Sequence, residues 1–358
     1  DRAMDAYKAG AEKYPDEKTA YQLKIAQVFL SQGKPKDAIG VVDRALAADP
    51  KSNDARSLHA SLQLQYGGKD QQQGAVSDLQ TLIGRDPKNV VVRYNLAKAY
   101  QTRGELDAAR VQYNEAIKLS NTFVAAYIGS GQVSLAKRDF GRAIQDADAV
   151  LKLDGRNMAA RTIKTNALIY SGNLRQARAD LGEYMKDAPN SPDLEFQLAI
   201  TDFLEGKYKE AEVRFRSLRA RFPTDQRLLF ALTDVMVRTG LGKEGLQSLK
   251  AELGKQPGDR TLRMAVAATA LKIEDLDVAE AEYRTLLAAE PKNLDLYLRM
   301  GEVLRKKGQM QASVEILKKG QQLAPTNPAA NLQLALMLEA TGMKREALPL
   351  YENVVKMD

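Results

Sequence analysis

Apolar residues recur along the whole chain in two short stripes separated by a break, and residues 90–121 (VVVRYNLAKAYQTRGELDAARVQYNEAIKLSN) show it most clearly. The first stripe consists of Leu96, Ala97 and Tyr100, and the second consists of Ala109, Tyr113, Ala116 and Ile117. Gly104 lies between the two stripes. Since positions three and four apart share one face of an α-helix, the pattern predicts two amphipathic helices joined by a turn.

The same pattern returns at a fixed interval, as the residue that closes each second helix shows. The closing residues are Pro15, Pro50, Pro87, Asn121, Gly155, Pro189, Pro223, Pro257, Pro291 and Pro325. We therefore predict one continuous solenoid over residues 1–358, in which residues 1–18 are a partial repeat containing a second helix only. Ten helix pairs follow, at 19–52, 53–89, 90–123, 124–157, 158–191, 192–225, 226–259, 260–293, 294–327 and 328–358.

Two positions of each repeat carry a small residue. In the first helix they are Ala26, Ala60, Ala97, Gly131, Thr165, Ala199, Thr233, Ala267, Gly301 and Ala335. At the start of the second helix they are Ala38, Ala75, Ala109, Ala143, Ala177, Ala211, Gly245, Ala279, Ser313 and Ala347. Small side chains at both places predict that the two helices of a pair pack closely there.

The second repeat departs from the period because it holds three extra residues within YGGKDQQQG, between residues 66 and 74. We expect them to form a lengthened surface loop between the two helices, since loops lengthen at small cost in free energy. A loop that contacts a partner is the alternative.

A small residue within the first helix, a turn glycine, a small residue in the second helix and a closing proline are the pattern of the tetratricopeptide repeat. The chain resembles a bacterial tetratricopeptide-repeat protein over essentially its whole length. This resemblance implies an all-α, right-handed superhelical solenoid of helix-turn-helix repeats of about 34 residues each. The motifs KP-x-x-A, GELDAA and P-x-N are similar to those of bacterial envelope-assembly and exopolysaccharide- or protein-export members of the family.

The formal net charge of +7 would suit an acidic partner, but the charged residues are interspersed along the predicted helices. The densest basic stretch consists of Arg214, Arg216, Arg219 and Arg221. These residues cannot all share one face of a helix. Nucleic acid is therefore not the favoured partner. No apolar run reaches the about 18 residues that a membrane-spanning helix needs.

Residues that could carry catalysis are scarce in this sequence, which has no cysteine and a single histidine, His59. His59 occupies a position where other repeats have leucine, so we interpret it as a residue packed between helices. The GLGKEG stretch matches a dinucleotide-binding fingerprint in letters only, because a helix and not a strand precedes it. We predict a protein that is not an enzyme, with no catalytic, metal-binding or cofactor-binding residue.

The family resemblance implies that the first helix of each pair lines the concave side, where a partner would bind. Carried over to this sequence, the candidate groove residues are Lys24, Gln27, Asn95, Lys98, Gln132, Asn166, Gln197, Phe196, Phe230, Asp234 and Arg299. A row of amides can hold the backbone of an extended peptide. The alternative for the amides is a merely solvated surface, and the alternative for the phenylalanines is packing between first helices.

The leading hypothesis is a non-enzymatic scaffold that binds a peptide or protein segment in its concave groove. One alternative is a structural spacer or self-assembling module of a bacterial envelope or export complex, with self-association through its ends. Another is a basic adaptor for RNA or an anionic polysaccharide. The opening residues read as a second helix and not as a signal peptide, so we expect the full protein to extend beyond both ends. The periplasm or envelope and the cytoplasm stay open as compartments.

Overall fold

The computed structural model describes residues 2–357, apart from the side chains at 69, 356 and 357. These residues form 21 α-helices and one short 3-10 helix, and no strand occurs within them. The helices group into two compact units, one up to Leu194 and one from Glu195 onward. We call them the N-terminal unit and the C-terminal unit. A single solenoid that joins them stays a prediction.

The N-terminal unit begins with an unpaired helix that packs on the first helix of the first pair. Its helices are α1 (Arg2–Lys13), α2 (Lys18–Ser31), α3 (Pro35–Ala48), α4 (Asn53–Tyr66), α5 (Lys69–Arg85), α6 (Val90–Thr102), α7 (Leu106–Leu119), α8 (Val124–Ala136), α9 (Phe140–Leu153), α10 (Met158–Tyr170) and α11 (Leu174–Asp187). The 3-10 helix, Pro15–Glu17, connects α1 to α2.

The C-terminal unit repeats the same helix pairs. It contains most of α12 (Pro192–Leu204), then α13 (Tyr208–Arg221), α14 (Gln226–Arg238), α15 (Gly242–Lys255), α16 (Arg260–Lys272), α17 (Leu276–Ala289), α18 (Leu294–Lys306), α19 (Met310–Leu323), α20 (Pro328–Ala340) and α21 (Lys344–Met357). From α6 onward, the first helices begin at positions 90, 124, 158, 192, 226, 260, 294 and 328, so the interval between successive starts is constant. The predicted fold class, an all-α solenoid of helical repeats, is confirmed.

The first helices begin where the sequence places a capping residue two positions after the closing residue of the preceding repeat. The side-chain oxygen of Asn89 accepts a hydrogen bond from the backbone N–H of Val92 at 3.1 Å, and Asn327 accepts one from Ala330 at 3.0 Å. Asp259 caps α16 in the same way. These oxygens satisfy backbone donors that the first turn of a helix leaves unpaired.

In every helix pair except α4 and α5, the turn between the two helices contains one residue in the left-handed backbone conformation. Seven glycines occupy it, at Gly33, Gly104, Gly172, Gly206, Gly240, Gly308 and Gly342, with φ between 71° and 84°. Arg138 (φ 59°) and Glu274 (φ 62°) take the same place in two repeats. A side chain makes this conformation less favourable, so these two turns carry backbone strain.

The small positions lie where the helices of a pair touch, as predicted. Ala97, Ala109, Ala199 and Ala211 are fully buried. A Cβ atom added at Gly301 would lie 2.6 Å from Cδ2 of Leu317, which is closer than two carbon atoms can approach. The close approach of the two backbones therefore excludes larger side chains at these positions.

The expectation of a lengthened loop in the second repeat is wrong. Helix α4 ends at Tyr66 and α5 already begins at Lys69, so only two residues connect them. Helix α5 has 17 residues, whereas α3 and α7 have 14. The three extra residues extend the second helix at its start, because each residue added to an existing helix gains a backbone hydrogen bond.

The first helices of neighbouring repeats pack on one another within each unit. In the N-terminal unit α2 contacts α4, α4 contacts α6, α6 contacts α8 and α8 contacts α10. In the C-terminal unit α14 contacts α16, and α18 contacts α20. We call the exposed surface of this row of first helices the inner face of each unit, and it is the surface that the candidate groove residues were predicted to line.

Candidate functional site

A cavity of about 590 Å³ opens on the inner face of the N-terminal unit, between α6 and α8. Its lining consists of Tyr94, Lys98, Gln101, Thr102, Tyr113, Ala125, Ile128, Gly129 and Gln132. Two predicted groove residues, Lys98 and Gln132, thus lie in one cavity. Polar groups stand beside an apolar wall there, as in sites that bind peptides or small molecules.

Aromatic packing fixes the floor of this cavity. The ring of Tyr94 lies edge-on to the ring of Phe123, with 5.4 Å between the ring centroids, and 6.0 Å from that of Tyr113. Tyr113 is only 1% exposed, whereas Tyr94 is half-buried. Such aromatic contacts are favourable and hold both rings in one orientation.

A chain of hydrogen bonds leads from the buried Tyr113 to the exposed Gln132. The hydroxyl of Tyr113 donates to Oε1 of Gln101 at 2.7 Å, and Nε2 of Gln101 donates to Oε1 of Gln132 at 3.5 Å. Burial raises the pKa of Tyr113 far above its ordinary value, so the hydroxyl keeps its proton. A Cβ atom at Gly129 would lie 2.6 Å from this hydroxyl oxygen, so glycine leaves the space that the ring occupies.

Lys98 supplies the cavity with its charge. Its side chain is exposed, and Nζ lies 5.8 Å from the centroid of the Tyr94 ring, within range of a cation–π interaction. Lys98 takes part in no ion pair within residues 2–357. No carboxylate is among the residues that line the cavity. The ammonium group is therefore exposed to a ligand.

The remaining predicted groove residues of the N-terminal unit lie on the same inner face outside this cavity. Lys24 and Gln27 are exposed on α2, and Nζ of Lys24 lies 5.6 Å from the centroid of the Tyr7 ring. Asn95 on α6 and Asn166 on α10 are half-buried. The amide row is thus present, but its members differ in how far they are accessible.

Gln197, which was predicted to line the groove, is only 4% exposed. Gln197 lies three residues before the helix position that Lys98 and Gln132 occupy in their repeats. Three residues correspond to about 300° of rotation around a helix, so such a side chain points about 60° away from the exposed one. Asn95 and Lys24 have the same offset, and Asn95 is half-buried whereas Lys24 is exposed.

The predicted aromatic residues of the C-terminal unit are largely used for packing. Phe196 lies edge-on to Phe215, with 5.6 Å between the ring centroids, and the guanidinium of Arg227 lies 5.5 Å from its ring. Phe230 packs against a buried cluster that includes Leu229. Both side chains are half-buried, which favours the packing interpretation over an exposed anchor site.

Asp234 and Arg299, the two charged candidates of the C-terminal unit, are paired within their own chain. Asp234 accepts a hydrogen bond from Nζ of Lys272 at 2.6 Å, and Nε of Arg299 donates to Asp295 at 2.6 Å. Asp234 and Lys272 line a second cavity of about 600 Å³, together with Phe203, Val237 and Arg238. A partner at these two charges would have to replace an existing ion pair.

Sequence reasoning missed most other members of the N-terminal cavity. Gln101 and Thr102 follow Lys98 by three and four residues, and Ile128 precedes Gln132 by four. Residues three and four apart are neighbours on a helix surface, so this spacing could have pointed to them. The contribution of Tyr113 could not be found this way, because it lies on the second helix.

His59 lies at a contact of three helices, as its repeat position predicted. Its Nδ1 atom is 2.5 Å from Oδ2 of Asp78 on α5, and Nε2 is 3.0 Å from Oδ1 of Asp43 on α3. The hydrogen bond with Asp78 raises the pKa of His59 above its ordinary value. Burial acts against ionisation of Asp78, yet hydrogen bonds from His59 and Arg56 hold the pKa of this carboxyl below its usual range. This network is structural and faces no cavity described above.

The basic stretch on α13 is neutralised by acidic side chains. Its ion pairs are Arg214 with Asp202 (2.8 Å), Arg216 with Glu212 (2.7 Å), Arg219 with Glu252 (3.9 Å) and Arg221 with Glu195 (2.6 Å). Each guanidinium therefore has a carboxylate within 4 Å. This pairing weakens the stretch as an attraction for a polyanion.

Membrane-spanning helices and metal clusters are both absent from residues 2–357. None of the helices there is both long enough and apolar enough to span a membrane. No group of three or more acidic or histidine side chains in that range is arranged to hold a metal ion.

Comparisons with known proteins agree with the repeat pattern. Tetratricopeptide-repeat family models match residues 1–53, 23–65, 91–123 and 267–328. The chain is 20% identical over 374 aligned positions to the TPR repeat-containing protein YpiA of Bacillus subtilis, covering 93% of this chain and 86% of that protein. It is 26% identical to RNA polymerase II-associated protein 3 of Xenopus tropicalis over 140 positions, which are 39% of this chain and 20% of that protein.

A solved tetratricopeptide repeat protein from Parabacteroides merdae is 14% identical and superimposes with a TM-score of 0.44, covering 89% of this chain and 98% of the other. The chain is a tetratricopeptide-repeat protein. Repeats of this class generally mediate protein–protein interactions, and proteins built from them are generally non-enzymatic scaffolds.

Proposed function

We propose that this protein is a scaffold that binds an extended segment of another protein along the inner face of its N-terminal unit. The cavity between α6 and α8 supports this proposal most directly. It offers exposed hydrogen-bonding groups on Lys98 and Gln132 beside the apolar side chain of Ile128. An extended peptide carries backbone polar groups and alternating side chains, which such a surface can accommodate together.

Polar side chains recur at one position of successive first helices, and this recurrence favours an extended ligand over a compact one. Gln27, Lys98 and Gln132 are exposed at equivalent positions of their first helices, and Asn166 is half-buried at the same position. A ligand that follows the row meets a polar side chain in successive repeats. Binding energy would then be distributed over several repeats, with the cavity as the deepest contact.

The experiment is selection of displayed random-sequence peptides on the intact protein, followed by fluorescence anisotropy with the selected peptides. We expect Gln132→Ala to weaken binding by about tenfold, since it removes a hydrogen-bonding side chain from the cavity. The matched control is Gln311→Ala, which changes an exposed glutamine on α19.

Both variants should keep the melting temperature of the unchanged protein, because both side chains are exposed. If no peptide is selected, or if the two variants bind the selected peptides equally well, the inner face of the N-terminal unit is not the binding site. Sedimentation that shows concentration-dependent multimers together with no selected peptide would favour a self-assembling module instead.

A further inference from the structure

The two amide oxygens of the N-terminal cavity already accept hydrogen bonds from groups of the protein itself. Oε1 of Gln101 accepts the hydroxyl of Tyr113, and Oε1 of Gln132 accepts from Nε2 of Gln101. An amide whose oxygen is engaged presents its remaining N–H groups. The exposed Gln132 therefore offers its Nε2 group as a donor to a ligand.

The charged group in the cavity also favours a hydrogen-bond acceptor on the ligand. Lys98 has three N–H donors and no acceptor. It stands beside Tyr94 with no carboxylate in the lining. A ligand that enters the cavity thus meets the N–H donors of Lys98 and Gln132 and one positive charge.

We propose that this cavity selects an acidic segment, with the carboxylate of an Asp or Glu side chain accepting hydrogen bonds from Lys98 Nζ and Gln132 Nε2. The inference rests on the proposed function and adds the chemical class of the ligand. Hydrogen bonds between charged partners are stronger than those between neutral ones, so a carboxylate binds better than the amide of the same shape. Ala125 and Ile128 form the adjoining wall and suit an apolar neighbour of the acidic residue.

Tyr113 acts as a positioning residue in this arrangement. Because its hydroxyl is buried and keeps its proton, it holds the oxygen of Gln101 inward and directs the amide nitrogen of Gln101 toward Gln132. Without the hydroxyl, the Gln101 amide can flip, exchanging its oxygen and nitrogen, and present its oxygen to the cavity. An added acceptor there would repel a carboxylate.

The test is binding of the intact protein to an array of random peptides and to the same array with Asn and Gln in place of Asp and Glu. We expect the unchanged protein to prefer the acidic peptides by about tenfold. Lys98→Gln should remove most of this preference, and Tyr113→Phe should reduce it. Lys319→Gln is the charge-matched control, because Lys319 is exposed on α19 and takes part in no ion pair among the described residues.

The outcomes separate this inference from the proposed function. Peptide binding without acidic preference overturns the inference and leaves peptide binding standing. An acidic preference that survives both Lys98→Gln and Tyr113→Phe also overturns it, since the selection then lies elsewhere. Absence of binding to either array overturns both. Melting temperatures of all variants establish that each is folded, and only the ratio of acidic to amide binding tests the role of Tyr113.

Discussion

The inner faces of the two units differ at one helix position although the backbone around it is the same. In the N-terminal unit this position holds Gln27, Ser61, Lys98, Gln132 and Asn166. In the C-terminal unit it holds Ile200, Asp234, Ala268, Glu302 and Leu336. The first set is polar with one positive charge, whereas the second is apolar or acidic.

The two units also differ in whether the charged side chains of their inner faces have ion-pair partners. Lys98 has no acidic partner among the described residues, whereas Asp234 is already paired with Lys272 at 2.6 Å. Leu336 is 51% exposed and borders a third cavity, of about 480 Å³, with Glu302 and Arg305. Packing fixes the small and apolar positions of a repeat, so recognition depends on the few positions that packing leaves exposed.

The largest expected effect concerns the buried small positions, which both units share. Ala97 in the N-terminal unit and Ala199 in the C-terminal unit are fully buried between helices. Ala97→Leu and Ala199→Leu should each lower the free energy of unfolding by about 1–3 kcal/mol, because the added side chain forces the helices apart. Urea unfolding followed by circular dichroism measures this, with Lys209→Leu on the exposed surface of α13 as the control. If Lys209→Leu lowers the free energy of unfolding as much as the two core substitutions do, the repeat register is contradicted.

A second prediction compares how the stability of the two units depends on pH, because the single histidine lies in the N-terminal unit. Asp78 and Asp43 stabilise the charged form of His59 and raise its pKa. The stabilisation is fully present below the unfolded pKa of about 6.5 and is lost as pH rises through the folded pKa. The raised pKa of His59 therefore predicts that the N-terminal unit loses stability above about pH 6.5.

Hydrogen exchange of α3, α4 and α5 in the wild type and in His59→Gln, compared at equal pH, measures this loss. The variant should be less protected than the wild type at about pH 6, and the gap should shrink at about pH 9. Helices α14 to α16 serve as the internal reference. A gap that stays constant with pH would show that His59 stabilises the unit by packing alone.

The smallest expected effect concerns the strained turns, of which each unit contains one. Arg138 and Glu274 adopt positive φ where other repeats have glycine. Arg138→Gly and Glu274→Gly should each raise the free energy of unfolding by about 0.5–1 kcal/mol, since relief of strain exceeds the entropy gained by the unfolded chain. Gly308→Ala (φ 75°) is the opposite change and should destabilise. Thermal unfolding of the three variants decides whether the turn geometry acts alike in both units.

Most of the fold could be predicted from the spacing of particular residues. The closing prolines from Pro189 to Pro325 gave the period, and the small residues gave the contacts within each helix pair. The extra residues of the second repeat were placed wrongly, because residues 66–74 contain both turn formers and helix formers. Their extension of α5 depends on a continued helix that spacing alone does not reveal.

The site was predictable only in part. Lys98 and Gln132 were predicted from the family's groove positions and both line the cavity, whereas Gln197 was assigned to a groove although it is buried. Lys24 and Gln197 occupy the same position of their repeats, yet Lys24 is exposed. The repeat positions alone therefore did not predict how far each side chain is buried.

The sequence by itself determined the helices, their period, their caps and the residues that must be small, because these depend on local hydrogen bonding and on a pattern repeated many times. Only the tertiary structure decided which polar groups remain available. The hydroxyl of Tyr113 reaches Gln101 across two helices, and Asp234 is paired with Lys272, 38 residues further along the chain. Such pairings arise where distant segments meet, so no local pattern encodes them. They orient the amides of the N-terminal cavity toward a ligand and leave the one carboxylate of the cavity at Asp234 already paired.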